Sequence, residues 1–249
     1  MNTHKTIAQL VDENFVHASV LYHFGIPFFD LPHLTLAEAC EKHNLPMHKV
    51  KRALEQGVNS RRDLRTPRMV SVPVDLIVAY LRHAHQIFVK ERLPYIGQLI
   101  GHLHPRFGIS EQLVEDLQFV FPLFAEDFIH HVYEEEDTLF TYIATLQGYL
   151  HNSGNATAMY YQMEHHSIRN FAVEHLVEDD EMQGIRRITH DYAVLPEHPA
   201  LLRVVYRELQ AFEEELVIHA RVENEILFPK ALMLERKVRE QWSKTITQN

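Results

Sequence analysis

Beyond residue 73 the apolar residues recur every three to four positions, the period of helices with one buried face. A helix is expected from Pro73 to about Gly101, bent at Pro94. After the loop His102 to Gly108, a second should run from Ser110 to about Gln147, with Pro122 as a kink. Gly148 to Asn155 reads as a turn. A third helix starts at Ala156 and runs to about Leu176, resuming toward Tyr192 after a break near Gly184. The loop Leu195 to Pro199 precedes a fourth helix from Ala200 to about Phe228, and a short tail helix carries Trp242. Four long helices with short connections predict an up-down-up-down four-helix bundle over residues 74–249.

The first part of the chain has shorter periodic runs. Ile7, Leu10 and Val11, then Phe15, Ala18, Val20 and Leu21, predict one or two short helices ahead of a turn at Gly25-Ile26-Pro27. Thr35 has the chemistry of an N-cap for Leu36 to Lys42, and Pro46 opens a helix to Glu55 that Gly57 should stop. Residues 59–73, with four arginines and two prolines, read as a linker. The expected fold class is all-α: a small helical N-terminal domain over residues 1–58, a linker over 59–73, and the bundle.

Composition narrows the function. The chain has 249 residues, 46% of them apolar, and only 8 glycines, enough for a sizeable helical core. A formal charge of −10 without a basic cluster argues against nucleic acid or an anionic membrane as the main partner. With no signal-peptide pattern at its start and no apolar run of membrane-spanning length, a cytoplasmic location is expected. The single cysteine, Cys40, rules out an internal disulfide and a thiolate-held cluster.

Histidine changes the picture. Two segments share one frame: His131-x-x-x-Glu135 with Leu139-Phe140, and His219-x-x-x-Glu223 with Leu227-Phe228. On a helix, positions i and i+4 lie on one face, so each copy aims an imidazole and a carboxylate the same way. His131 shares its stripe with Phe124, Phe128 and Leu139, and His219 shares its stripe with Phe212, Leu216, Val222 and Ile226, so both should face a core. His130, beside Glu126, Asp127 and Asp137, belongs to a solvated acidic face. The first and third helices offer one inward histidine each: His85, aligned with Leu81, Phe88 and Ile96, and His165, aligned with Tyr161, Ile168 and Ala172.

A lone inward histidine is usually a satisfied core residue, and a His–Glu pair is usually a surface contact. Six such groups on the apolar stripes of four helices are too costly to bury unpaired. The expected metal ligands are His85, His131, Glu135, His165, His219 and Glu223. Imidazole with carboxylate suits iron, manganese or zinc, and two carboxylates able to bridge favour a pair of hard, redox-active ions. Ferritin-like sites use Glu-x-x-His, a spacing absent from this chain.

These residues resemble the hemerythrin-like (HHE cation-binding) di-iron proteins, specifically the iron–sulfur cluster repair family, also called Repair of Iron Centres. The motifs are His131-x-x-x-Glu135-Glu136, Glu164-His165, His219-x-x-x-Glu223-Asn224 with Leu227-Phe228-Pro229, and Lys90-Glu91-Arg92-Leu93-Pro94 in the first helix. His23-Phe24-Gly25-Ile26-Pro27 and Thr35-Leu36-Ala37-Glu38-Ala39-Cys40 are similar to the family's N-terminal domain. The resemblance implies two non-haem iron ions bridged by glutamates, with nitric oxide or oxygen as diatomic ligand. It implies damaged iron–sulfur proteins as clients, under nitrosative or oxidative stress, and it allows a homodimer. Whether the chain turns over a substrate is open: a sensor or store of gas or iron, or an interaction protein with a structural metal, fits the same residues.

Three positions depart from the family. Phe28-Phe29-Asp30-Leu31 stands where the family has a Cys-Cys pair followed by Gly-Gly, which removes its thiols. Arg169 occupies the position of a second third-helix histidine in oxygen-carrying hemerythrins, implying more open coordination. In the first helix the family spacing lands on Gln86, flanked by His83 and His85 on well separated faces. A one-residue register adjustment near Pro94 would bring His85 to the ligand position, and His85 is the expected ligand.

Overall fold

The structure is a computed structural model that describes residues 5–60, 71–105, 108–152, 156–177 and 181–247. Its elements are helical: α1 (Ile7–Glu13), α2 (Val16–His23), α3 (Leu36–Lys42), α4 (Met47–Ser60), α5 (Val74–Ile87), α6 (Leu93–Gly101), α7 (Glu111–Glu135), α8 (Thr141–Asn152), α9 (Ala156–His165), α10 (Ile168–Val177), α11 (Gln183–Ile188), α12 (Ala200–Val222) and α13 (Phe228–Thr247). Among the described residues three single-turn π-helices, Phe88–Arg92, Glu136–Phe140 and Glu223–Leu227, join α5 to α6, α7 to α8 and α12 to α13. Among the described residues there is no strand, only an isolated antiparallel bridge between Thr6 and Thr35. The all-α class is therefore as expected. Residues 61–70 of the expected linker lie outside the described residues.

The chain forms two compact units. One comprises residues 1–65, 94–121 and 184–214; the other comprises 66–93, 122–183 and 215–249. The first unit begins with local signals that the sequence spells out. Thr6 caps α1 in a reciprocal pair with Gln9, whose backbone N–H donates to the Thr6 hydroxyl at 3.2 Å while its side chain accepts from Thr6 N–H at 3.0 Å. Thr35 and Glu38 repeat the device on α3. Gly25, at φ +73°, ends α2, and the N–H of Ile26 returns to the Leu21 carbonyl at 2.9 Å, closing the helix with a left-handed residue. Within its first 65 residues, Ile7, Leu10, Leu21, Ile26, Phe28, Leu36, Val50 and Leu54 are buried. The helix expected to stop at Gly57 continues to Ser60.

The second unit packs α8 and α10 against α13, with Leu81, Phe140, Tyr142, Ile143, Leu146, Val222 and Leu227 buried in one core. Two polar links lie in the same unit. The Tyr142 hydroxyl donates to Glu235 at 2.8 Å, and Arg92 Nε donates to Glu215 at 3.0 Å. The expected third helix is interrupted at residues 166 and 167, between α9 and α10. The expected stop at Phe228 is absent. The helix carries on through Pro229, so Trp242 lies on α13 rather than on a separate tail helix.

The π-turns explain that continuation. A proline ring clashes with the carbonyl four residues earlier and gives it no hydrogen bond. Pro94 and Pro229 each sit two residues after a π-turn, where the backbone is already widened by one residue per turn. The third π-turn has no proline; there the Thr141 hydroxyl donates to the carbonyl of Glu136 at 3.1 Å.

Candidate metal centre

The centre lies in the second unit, where three π-turns bear on its side chains. His85 is at the end of α5, Glu135 at the end of α7, and His219 and Glu223 at the α12 junction. One ligand atom from each of His85, His219 and Glu223 lies within 4.8 Å of the others, and no other such cluster occurs among the described residues. Glu135 joins them, with Oε2 3.4 Å from His85 Nε2. His219 Nδ1 lies 3.1 Å from Glu223 Oε2. All four side chains are nearly inaccessible, His219 being the most open at 11%.

Aromatic rings form the walls. His85 stacks on Phe140, with centroids 5.6 Å apart and planes within 6°, and its ring is 4.7 Å from that of His219. Phe88 meets the His219 ring at 5.6 Å and Phe128 at 6.0 Å. Water is largely excluded, so the polar atoms here depend on one another.

That dependence is incompletely met by the protein. Nε2 of His85, Nε2 of His219 and both carboxylate oxygens of Glu135 are buried with no hydrogen-bond partner. Leaving such groups unsatisfied costs about 1–3 kcal/mol each, more for a charge. Burial, and secondarily His219 nearby, lowers the pKa of His85 to about 3, keeping its imidazole neutral. Burial, then the charge of Glu223, holds the Glu135 carboxyl well above the usual range. Two imidazoles, each with a bare nitrogen, clustered with two carboxylates in an apolar shell are the donor set of a divalent or trivalent cation. The residues fit a metal.

Of the six expected ligands, the structure brings together His85, Glu135, His219 and Glu223. His131 is half-buried and near enough to His85 for their charges to interact. His165 is placed differently. It is exposed rather than inward, its Nδ1 2.8 Å from the Tyr161 carbonyl and its ring 4.0 Å from that of Tyr161. The physical reason is the break after α9. The half-buried residue there is His166, whose ring lies 5.4 Å from Tyr142. His83 and Gln86 are exposed, whereas His85 is 1% accessible. Just before Pro94, where a register adjustment was expected, lies the π-turn Phe88–Arg92, in which the helix is under-wound. His130 is 81% exposed and pairs with Glu134, as its acidic face implies.

One site residue was not singled out from the sequence. Glu136 places Oε1 2.9 Å from His85 Nδ1, so that consecutive glutamates meet the two nitrogens of one ring. The signal was the Glu135-Glu136 doublet itself, but adjacent residues on a regular helix point about 100° apart, which hides the pairing.

In the first unit, Phe28 is fully packed at 1% exposure and the Phe29 ring lies 4.8 Å from His102. Cys40 is buried, and burial raises its thiol pKa.

No family model matches the chain. It is 26% identical over 204 residues to the iron-sulfur cluster repair protein YtfE of Pectobacterium carotovorum subsp. carotovorum (strain PC1), covering 80% of this chain and 83% of that protein. That is more of the chain than residues 74–249 contain, so the similarity includes part of the N-terminal segment. It supports a distant kinship with iron–sulfur cluster repair proteins. Among the described residues, no helix is long and apolar enough to cross a membrane.

Proposed function

We propose that this chain is a non-haem iron protein of the iron–sulfur cluster repair type, with two iron ions held by His85, His131, Glu135, His219 and Glu223. The observation that carries the reading is the bare, buried Nε2 of His85, 3.4 Å from Oε2 of Glu135, in a cluster that also holds His219 and Glu223. The distant similarity to a named repair protein supports it from an independent direction. Iron in this site would supply one-electron chemistry and an open position for a diatomic molecule, nitric oxide or oxygen, with damaged iron–sulfur proteins as the beneficiaries.

The chain's own residues have definable tasks. Glu135 and Glu223 offset the charge of the ions and are the groups able to bridge them. Phe88, Phe128 and Phe140 keep the site dry, which strengthens each charge interaction inside it. His165 completes the ligand set only if the segment around residues 166 and 167 rearranges to turn it inward.

The test is iron content and optical spectrum of the purified protein and its histidine variants. About two irons per chain are expected, following carboxylate-bridged bundles. His131→Ala and His219→Ala should lose most of the iron, and His130→Ala should keep it. A zinc-only protein, or equal losses from His130→Ala and His131→Ala, would overturn the reading.

A further inference from the structure

We propose that Glu136 is a positioning residue that holds a proton on His85 Nδ1 and so presents the bare Nε2 to the metal centre. The inference rests on the reading of that site as a metal centre and assigns a role outside the proposed ligand set.

The geometry is specific. His85 Nδ1 and Glu136 Oε1 are 2.9 Å apart, hydrogen-bond distance, so the ring N–H donates to the carboxylate. A neutral imidazole carries one ring proton; fixing it on Nδ1 leaves the lone pair on Nε2. Nε2 is the atom that faces Glu135 and has no hydrogen-bond partner. The ring cannot readily tilt out of this arrangement, because Phe140 stacks on it and His219 lies 4.7 Å away.

Glu136 is itself held. Arg82 Nε lies 3.9 Å from its Oε2, and the Arg82 guanidinium sits 5.8 Å from the Phe140 ring centroid. Phe140 thus lies near both members of the relay, His85 and Arg82. Glu136 is 28% exposed while His85 is 1% exposed, so the carboxylate joins a buried ligand to the solvent edge. The π-turn beginning at Glu136 is the local departure from regular winding that accompanies two consecutive carboxylates serving one imidazole.

The tautomer of His85 is readable in the metal-free full-length protein by histidine-selective nitrogen-15 NMR, with its signal identified by its loss in His85→Gln. The wild type should show a protonated Nδ1 and a bare Nε2. Glu136→Ala should give a mixture of tautomers and bind ferrous iron about 10–100-fold more weakly. Glu136→Gln, whose carbonyl can still accept from Nδ1, should fall between on both measures. A bare Nδ1 in the wild type, or an unchanged Nδ1–H in Glu136→Ala, overturns the assignment. So does a drop in melting temperature in Glu136→Ala with tautomer and iron affinity intact. Because the spectrum is taken without metal, a wild type that bound no iron would sink the proposed function while the tautomer still decided the role of Glu136.

Discussion

At the scale of single residues, the centre is governed by the protonation of groups shut away from water. Glu135, held above the usual carboxylate range by burial and by Glu223, carries a proton in the metal-free protein well above pH 4.5. A raised folded-state pKa contributes stability that is present below the unfolded value and lost as pH rises through the folded one. Metal binding needs the carboxylate, so it must expel that proton. Two results are expected together. Iron affinity should rise with pH, with proton release detectable calorimetrically in buffers of different ionisation enthalpy. Metal-free Glu135→Gln, neutral at every pH, should lack the loss of stability expected of the wild type as pH rises above about 4.5. Parallel stability curves for the two proteins would refute this. His85 contributes in the opposite sense: its pKa of about 3 against an ordinary 6.5 means stability is lost as pH falls below about 6.5. The repeated His-x-x-x-Glu frame made most of this cluster legible in the sequence, because spacing on a helix fixes a face. It misplaced His165, since a break in the helix after that residue leaves no periodic trace. Cys40 is buried, and burial that raises its thiol pKa and limits access should leave it unmodified by alkylating reagents in the folded protein. Alkylation of Cys40 in the folded protein would contradict that.

At the scale of elements, the three π-turns are what helical periodicity cannot announce, because each inserts one residue without changing the apolar pattern on either side. Prolines were the available clue. Pro94 was read as a bend and the fourth helix was expected to end at about Phe228, whereas Pro94 and Pro229 each lie in a continuing helix, two residues after a π-turn. Deleting Val89 should convert Phe88–Arg92 to regular winding and rotate everything before it by about 100° relative to Arg92, which is held by Glu215. His85 would leave the centre, with Leu81 turning off the core. Iron should be lost and the melting temperature should fall, with helix content by circular dichroism nearly unchanged. Retention of the wild-type iron complement after the deletion would show that the π-turn does not set the register of His85.

At the scale of the whole molecule, the sequence conveyed the all-α class and the long helices, since both follow from local period and capping. The grouping of residues 94–121 and 184–214 with the first 65 was not legible, because contacts between distant segments carry no local signal. That grouping has a consequence for metal removal. The proposed ligands all belong to the second unit, residues 66–93, 122–183 and 215–249. A ligand that binds only the folded site stabilises it by about 2.7 kcal/mol at one hundred times its dissociation constant, a factor of about 100 in the opening equilibrium. Openings confined to the first unit do not release the metal and gain nothing from it. Chelating the iron should therefore accelerate amide hydrogen exchange up to about 100-fold in α5, α8 and α13, where opening disrupts the centre. The helices α1 to α4 should keep their local exchange rates. Equal acceleration of both sets would mean that the molecule opens as one cooperative body, and the metal would then stabilise the entire chain rather than the unit that holds it.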